Sequence, residues 1–279
     1  MPSLLIVGGL TIDRFADGRS APGGSVLHAG LAAASEADAM TMLTVAGDEP
    51  EARDGITRLR DLCDVRWQRA SHTTTYRHDE STGHRILVYE RAGEPIQLDD
   101  TEPLPPIDVA LLAPIADELP PPTVDLVRAR VRPDLVVLLM QGWLRRLAIG
   151  EPVRPLALDE VAPACWRTFG TADAVVLSTE DLVDGGADPF AQAADVRERI
   201  GPGPLLVLTL GTDGYLLDDP VQRRVVASVP RTIIRGVPTV GAGDTFGAAL
   251  ALRLAAGDRP AEAAEAGSER VIEVLESRR

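Results

Sequence analysis

Short, mainly apolar runs recur along the chain at wide spacing, at residues 3–7, 42–45, 109–112, 135–139, 174–177 and 205–210. Each is too short for a globular helix and reads as a strand buried on both faces. Helix-forming stretches separate them at residues 26–34, 51–59, 117–130 and 189–200. Strands that alternate with helices need crossover connections. The pattern therefore predicts an α/β fold, a mostly parallel sheet with helices packed on both faces. Prolines cluster at 103–106 and 120–122 and read as loops rather than linkers, and no internal repeat is visible, so residues 1–279 are expected to form a single domain.

One region breaks the alternation. Residues 73–77 and 85–89 are β-leaning arms of mixed polarity separated by a polar loop at 78–84. That composition predicts an exposed antiparallel hairpin rather than a core strand pair.

Composition removes several function classes. The net charge is −14, which argues against nucleic acid or an anionic membrane as partner. No run approaches the length of a membrane span, and the first residues lack a secretion signal, so a cytoplasmic protein is expected. Cys63 and Cys165 are the two cysteines, with no CxxC, which reads as reduced thiols rather than a disulfide framework or structural zinc. All 28 basic residues are arginine. Without lysine there is no Walker P-loop, no protein-kinase strand lysine and no Schiff base. A nucleotide-using chain of this kind must hold phosphates by backbone amides, arginine and a divalent ion.

Residues Thr239-Val-Gly-Ala-Gly-Asp-Thr-Phe246 carry the strongest local chemistry. Gly241, Ala242 and Gly243 are small enough for their amides to converge, and the apolar stretch 245–256 reads as a buried helix starting at Asp244. A helix start adds its positive dipole end, which makes an anion hole with a carboxylate beside it. That pairing suits phosphoryl transfer: the hole takes charge on the moving group and the carboxylate takes the proton of an attacking hydroxyl. A plain strand-to-helix turn with Asp244 as N-cap uses the same residues.

This segment resembles the second signature of the ribokinase-like, phosphofructokinase-B-type carbohydrate kinases. Their pattern is Asp-Thr-x-Gly-Ala-Gly-Asp, and this chain reads Pro238-Thr-Val-Gly-Ala-Gly-Asp244. The resemblance implies a three-layer α/β/α sandwich with a small β-lid, here residues 10–22 and 70–95. It implies Asp244 as catalytic base and Gly241, Ala242 and Gly243 as the anion hole. Pro238 stands where the family usually has an aspartate that helps bind a monovalent cation, which argues against potassium activation here.

Further positions follow the family in order. Asp13, Gly23 and Gly24 match residues that contact the sugar-like acceptor, with His28 where an asparagine is usual. Ser178-Thr-Glu-Asp181 stands in place of Asn-x-x-Glu and implies Asp181 as the magnesium residue, acting through bound water, although Ser178-x-x-Asp181 also fits a helix cap. Thr209, Gly211 and Gly214 match the turn that borders the ATP phosphates and ribose. Segments 113–118 and 141–146 are similar to an inositol-kinase-like branch and imply Glu118 and Arg145 at the acceptor, where strand ends bind ligands, against a default of solvated charge. The implied activity transfers the γ-phosphoryl group of ATP, with Mg2+, to a hydroxyl of a small polyol, sugar or nucleoside. A homodimer through the lid is also implied. A non-catalytic sugar-binding or regulatory protein on the same fold is the alternative. A dinucleotide-binding dehydrogenase is disfavoured because no GxGxxG follows the first strand.

Overall fold

The protein is described by a computed structural model over residues 1–79, 86–98, 103–183 and 187–279. The chain opens with β1 (Ser3–Gly9), then leaves the main sheet as β2 (Thr11–Phe15) and β3 (Ser20–Gly23). Helix α1 (Ser25–Ala33) returns it to β4 (Ala39–Ala46), and α2 (Pro50–Arg60) leads to β5 (Asp64–Arg69). A second excursion follows as β6 (Thr74–Asp79) and β7 (Ile86–Arg91). Next come β8 (Val109–Leu112), α3 (Thr123–Arg130), β9 (Leu135–Leu139) and the short pair β10 (Arg145–Arg146) and β11 (Arg154–Pro155). The last part runs α4 (Pro163–Gly170), β12 (Ala174–Ser178), α5 (Pro189–Ile200), β13 (Leu205–Thr209), β14 (Tyr215–Asp219), β15 (Arg224–Ser228), α6 (Ala242–Ala255) and α7 (Pro260–Glu276).

Nine strands form one sheet in the order β15-β14-β13-β12-β9-β8-β1-β4-β5. From β13 to β5 all neighbours are parallel, and β14 and β15 are antiparallel additions at one edge. Side chains alternate across the pleat, so each buried strand feeds two cores. Leu4 and Ile6 of β1 face α1, α2, α6 and α7, whereas Leu5 and Val7 face α3, α4 and α5. The result is the expected three-layer sandwich.

The excursions build the second sheet, β3-β2-β6-β7, in which β2 pairs parallel with β6. Its strands occupy residues 11–15, 20–23, 74–79 and 86–91, where the resemblance puts the lid (10–22 and 70–95). Gly150 donates to Tyr89 O at 2.7 Å, Tyr89 to Glu151 O at 3.0 Å and Val153 to Leu87 O at 2.7 Å, so residues 150–153 line the β7 edge. Residues 80–84 of the expected hairpin loop lie outside the described residues.

One expectation fails for a local reason. The helix expected over 117–130 begins only at Thr123, because Pro120–Pro122 withhold amide donors and Glu118 is turned inward as a brace. Pro260 opens the 17-residue helix α7, with the Arg259 amide donating to Glu262 Oε2 at 3.2 Å. Both cysteines are free thiols, and burial pushes Cys63 up to about 12, which leaves it unreactive at neutral pH. Among the described residues no helix is long and apolar enough to cross a membrane.

Candidate active site

Strand ends of a parallel sheet leave a crevice where ligands settle. Here a cleft of about 1160 Å3 opens over the carboxyl ends of β9, β12 and β13, between the lid sheet and the start of α6. Asp13, Gly24, His28, Arg145, Ser178, Asp181, Thr209, Gly211, Gly214, Gly241, Ala242, Gly243 and Asp244 all line it. Residues expected from separate stretches of sequence are thus brought to one wall system.

Gly241 makes the turn into α6. It is the N-cap with φ +78, a conformation costly for a side chain, and a Cβ there would lie 2.3 Å from His28 Cγ. The His28 ring therefore packs directly under the cap. The Ala242 amide donates to Thr239 O at 3.1 Å, so it is already engaged, which corrects the expectation that all three amides are open. The Gly241 and Gly243 amides have no acceptor among the described residues.

Asp244 is 6% exposed and keeps its carboxylate on the cleft. Its Oδ1 accepts from Gln141 Nε2 at 3.1 Å, and the same amide nitrogen donates to Ser25 Oγ at 2.9 Å. Gln141 Oε1 accepts from Arg145 NH2 at 3.0 Å, and Arg145 NH1 donates to the Ile115 carbonyl at 2.9 Å. The carboxylate is therefore the end of an ordered chain of donors. Gln141 was not singled out by sequence. It lies in the 141–146 segment, but its contact with Asp244 spans 103 residues and has no local signature.

At the lid end, Thr11 Oγ1 donates to Asp13 Oδ1 at 3.2 Å, and His78 Nε2 lies 3.5 Å from Asp13 Oδ2. His78 stacks on Phe15 with ring centroids 4.8 Å apart. Gly24 has φ +95, and a Cβ there would lie 2.4 Å from Gly9 O, so only glycine lets α1 start this close to β1. Gly23 is buried against Asp13 and does not line the cleft.

Glu118 also stays out of the cleft, contrary to its expected acceptor role. It is 3% exposed, and its Oε1 accepts from Gly9 and Ile115 amides at 2.8 Å while Oε2 accepts from Ala116. Burial raises its carboxyl above the ordinary range, against the pull of those amides. The carboxylate braces the end of β1 instead of contacting a ligand.

Asp181 sits in the capping arrangement that its spacing allowed, with Oδ2 accepting the Ser178 amide at 2.9 Å. Burial pushes its carboxyl up; Arg145 and the Ser178 amide oppose this, and the charges of Glu180 and Asp244 add to it. Carboxylates that repel each other on one cleft wall suit a cation held partly by ligand phosphates. Among the described residues no cluster of three or more His, Cys, Asp or Glu side chains could hold a metal alone. That donor set fits magnesium, which keeps much of its water. Thr209 Oγ1 donates to Leu177 O at 3.3 Å, beside Gly211 and Gly214. Beyond them the cleft turns apolar at Ile233, Ile234, Val271, Ile272 and Leu275.

Comparison with known proteins places this architecture. Residues 154–270 match the profile of the pfkB family carbohydrate kinases. That segment is similar to the pfkB carbohydrate kinases, and the fold is ribokinase-like. Similar solved structures include a pyrophosphate-dependent kinase in the ribokinase family, complexed with a pyrophosphate analog and myo-inositol, at 17% identity and TM-score 0.73, covering 95% of this chain and 92% of that one. A fructokinase double mutant from Vibrio cholerae O395, bound to fructose, ADP and a potassium ion, is 18% identical with TM-score 0.73, over 97% and 90% of the two chains. Aminoimidazole riboside kinase from Salmonella enterica, with aminoimidazole riboside and an ATP analog, is 16% identical with TM-score 0.73, over 98% and 93%. No curated protein sequence matches the chain. The ribokinase-like chains share the three-layer sandwich derived above, and the pfkB match spans the anion-hole segment.

Proposed function

We propose that the protein is a kinase that moves the γ-phosphoryl group of ATP to a hydroxyl of a small polyol, sugar or nucleoside. One observation carries this reading: a buried carboxylate, Asp244, stands beside two amides, Gly241 and Gly243, that have no acceptor among the described residues, at the mouth of a buried helix. In the reaction Asp244 accepts the proton of the acceptor hydroxyl as its oxygen bonds to the γ-phosphorus. The bond from that phosphorus to the β–γ bridging oxygen breaks, and ADP leaves with that electron pair. The Gly241 and Gly243 amides and the dipole of α6 meet the charge on the transferring group. Asp13, His28 and His78 line the acceptor end, and Asp181, with Glu180, would hold magnesium, whose chemistry is to offset phosphate charge.

The apolar wall at the far end favours a nucleotide over a bare phosphate donor. Ile233 is 42% exposed on that wall, and Val271, Ile272 and Leu275 of α7 face it, which suits a stacked base. Pyrophosphate, the donor type named for three similar structures, would leave this surface unused.

The test is a coupled ADP-release assay on the full chain with a panel of polyols, sugars and nucleosides. Turnover with ATP, and none with pyrophosphate as sole donor, is expected. Saturable acceptor binding without phosphate transfer from either donor would instead favour the non-catalytic alternative.

A further inference from the structure

The loop leading into α6 carries a positive charge from another part of the chain. The Pro238 and Val240 carbonyls turn to one side, and Arg278 NH1 sits between them, 2.7 Å from Pro238 O and 2.9 Å from Val240 O. Thr239, between them, turns its carbonyl the other way, to the Ala242 amide at 3.1 Å. Neither Pro238 O nor Val240 O accepts a backbone amide among the described residues. Two convergent carbonyls without an amide repel each other and make a seat for a cation.

The resemblance implies a monovalent cation in this vicinity, with an aspartate at the place of Pro238. The residues present do not fit one. Pro238 offers a carbonyl and no carboxylate, and the oxygen pair is already taken by a guanidinium. Arg278 makes no ion pair among the described residues, so its charge is not cancelled locally. Many other arginines of this acidic chain, such as Arg197 with Asp218, are spent on carboxylates.

We propose that Arg278 is a built-in cation: its guanidinium takes the place of an exchangeable monovalent ion behind the anion hole and makes phosphoryl transfer independent of potassium. It acts as a positioning residue. It fixes the 238–240 carbonyls so that the Gly241 turn presents its amides, and it adds permanent positive charge beside a site that must accept phosphate. Unlike a bound ion it cannot dissociate, and arginine stays charged at any working pH. This inference rests on the kinase reading for its rate effects and on geometry alone for its binding effects.

The experiment has two arms on the full chain. In steady-state phosphotransfer the wild-type rate should be the same in potassium, sodium or tetramethylammonium chloride at equal ionic strength. Arg278→Ala and Arg278→Gln, the second keeping a donor but no charge, should each lose about 10–100-fold in turnover. Added guanidinium or potassium should restore part of that loss, and Arg278→Lys should stay near wild type. In a thermal-shift arm without substrates, potassium should stabilise Arg278→Ala relative to sodium, while wild type shows no difference. A wild-type rate that rises with potassium overturns the proposal, as does an Arg278→Gln protein with full turnover. Absence of any wild-type turnover sinks the kinase reading instead. The thermal arm then still decides the cation seat, since potassium selectivity in wild type or its absence in Arg278→Ala rejects it.

Discussion

Gln141 holds Asp244 by a single amide whose direction is not free. Arg145 donates to Gln141 Oε1 at 3.0 Å, so the Gln141 nitrogen must face the Asp244 carboxylate, 3.1 Å away. A second carboxylate at this position would face Asp244 across a hydrogen-bond distance. Ionising both then becomes costly. Gln141→Glu is therefore expected to move the acid limb of the turnover pH profile to higher pH. The base must be ionised to act, so activity is lost first on the acidic side. Gln141→Leu should lower turnover about tenfold, the order of one strong hydrogen bond, with smaller change in the acceptor KM. An unshifted Gln141→Glu profile would count against a positioning role.

Asp244→Asn keeps the shape of the side chain and removes the proton acceptor. Turnover should fall by roughly 10²–10⁴, with nucleotide binding retained by calorimetry. Near-normal turnover in that variant would mean that another group takes the proton.

Gly241→Ala meets two obstacles together. The backbone sits at φ +78, and the new Cβ would lie 2.3 Å from His28 Cγ. The loss of stability should be about 1–3 kcal/mol in urea denaturation. Adding His28→Ala should return part of it, because the collision goes while the backbone cost of about 1 kcal/mol stays. Equal stability of the single and double variants would show that the ring has room to move.

Asp181 sets a pH dependence of stability. Its folded value is raised above 3.8 by burial, so the folded state takes up a proton before the unfolded state as pH falls. The penalty of the buried charge is full above the folded value and disappears below the unfolded one. Wild type should therefore gain stability relative to Asp181→Asn as pH falls from neutral toward that range. Urea midpoints of both proteins across this interval check the sign, and parallel curves would reject it.

The sheet was legible because its physics is local. Buried strands such as β8 and β9 are continuous apolar runs, and their bounds, Val109–Leu112 and Leu135–Leu139, coincide with the sequence expectation. Helix α7 escaped the sequence reading: its buried residues, Ala263, Ala264, Gly267 and Leu275, are mostly small, and its burial comes from α6. In the site, Asp244 and its glycines carry a short-range pattern, which survives translation into sequence. Gln141 and Arg278 act across 103 and about 40 residues, at ends of elements whose packing no window reveals. Glu118 misled for the opposite reason. Its position after a strand suggested a ligand, but its partners are three amides of its own neighbourhood and of β1.

The carbonyl of Ile115 receives two donors, the Tyr76 hydroxyl at 2.9 Å and Arg145 NH1 at 2.9 Å. Tyr76 belongs to β6 of the second sheet, and Arg145 to the relay that ends on Asp244. A displacement of that sheet would either surrender the tyrosine's bond or drag the relay along with it. The aim of the Asp244 carboxylate is therefore coupled, through one shared carbonyl, to how the second sheet is seated.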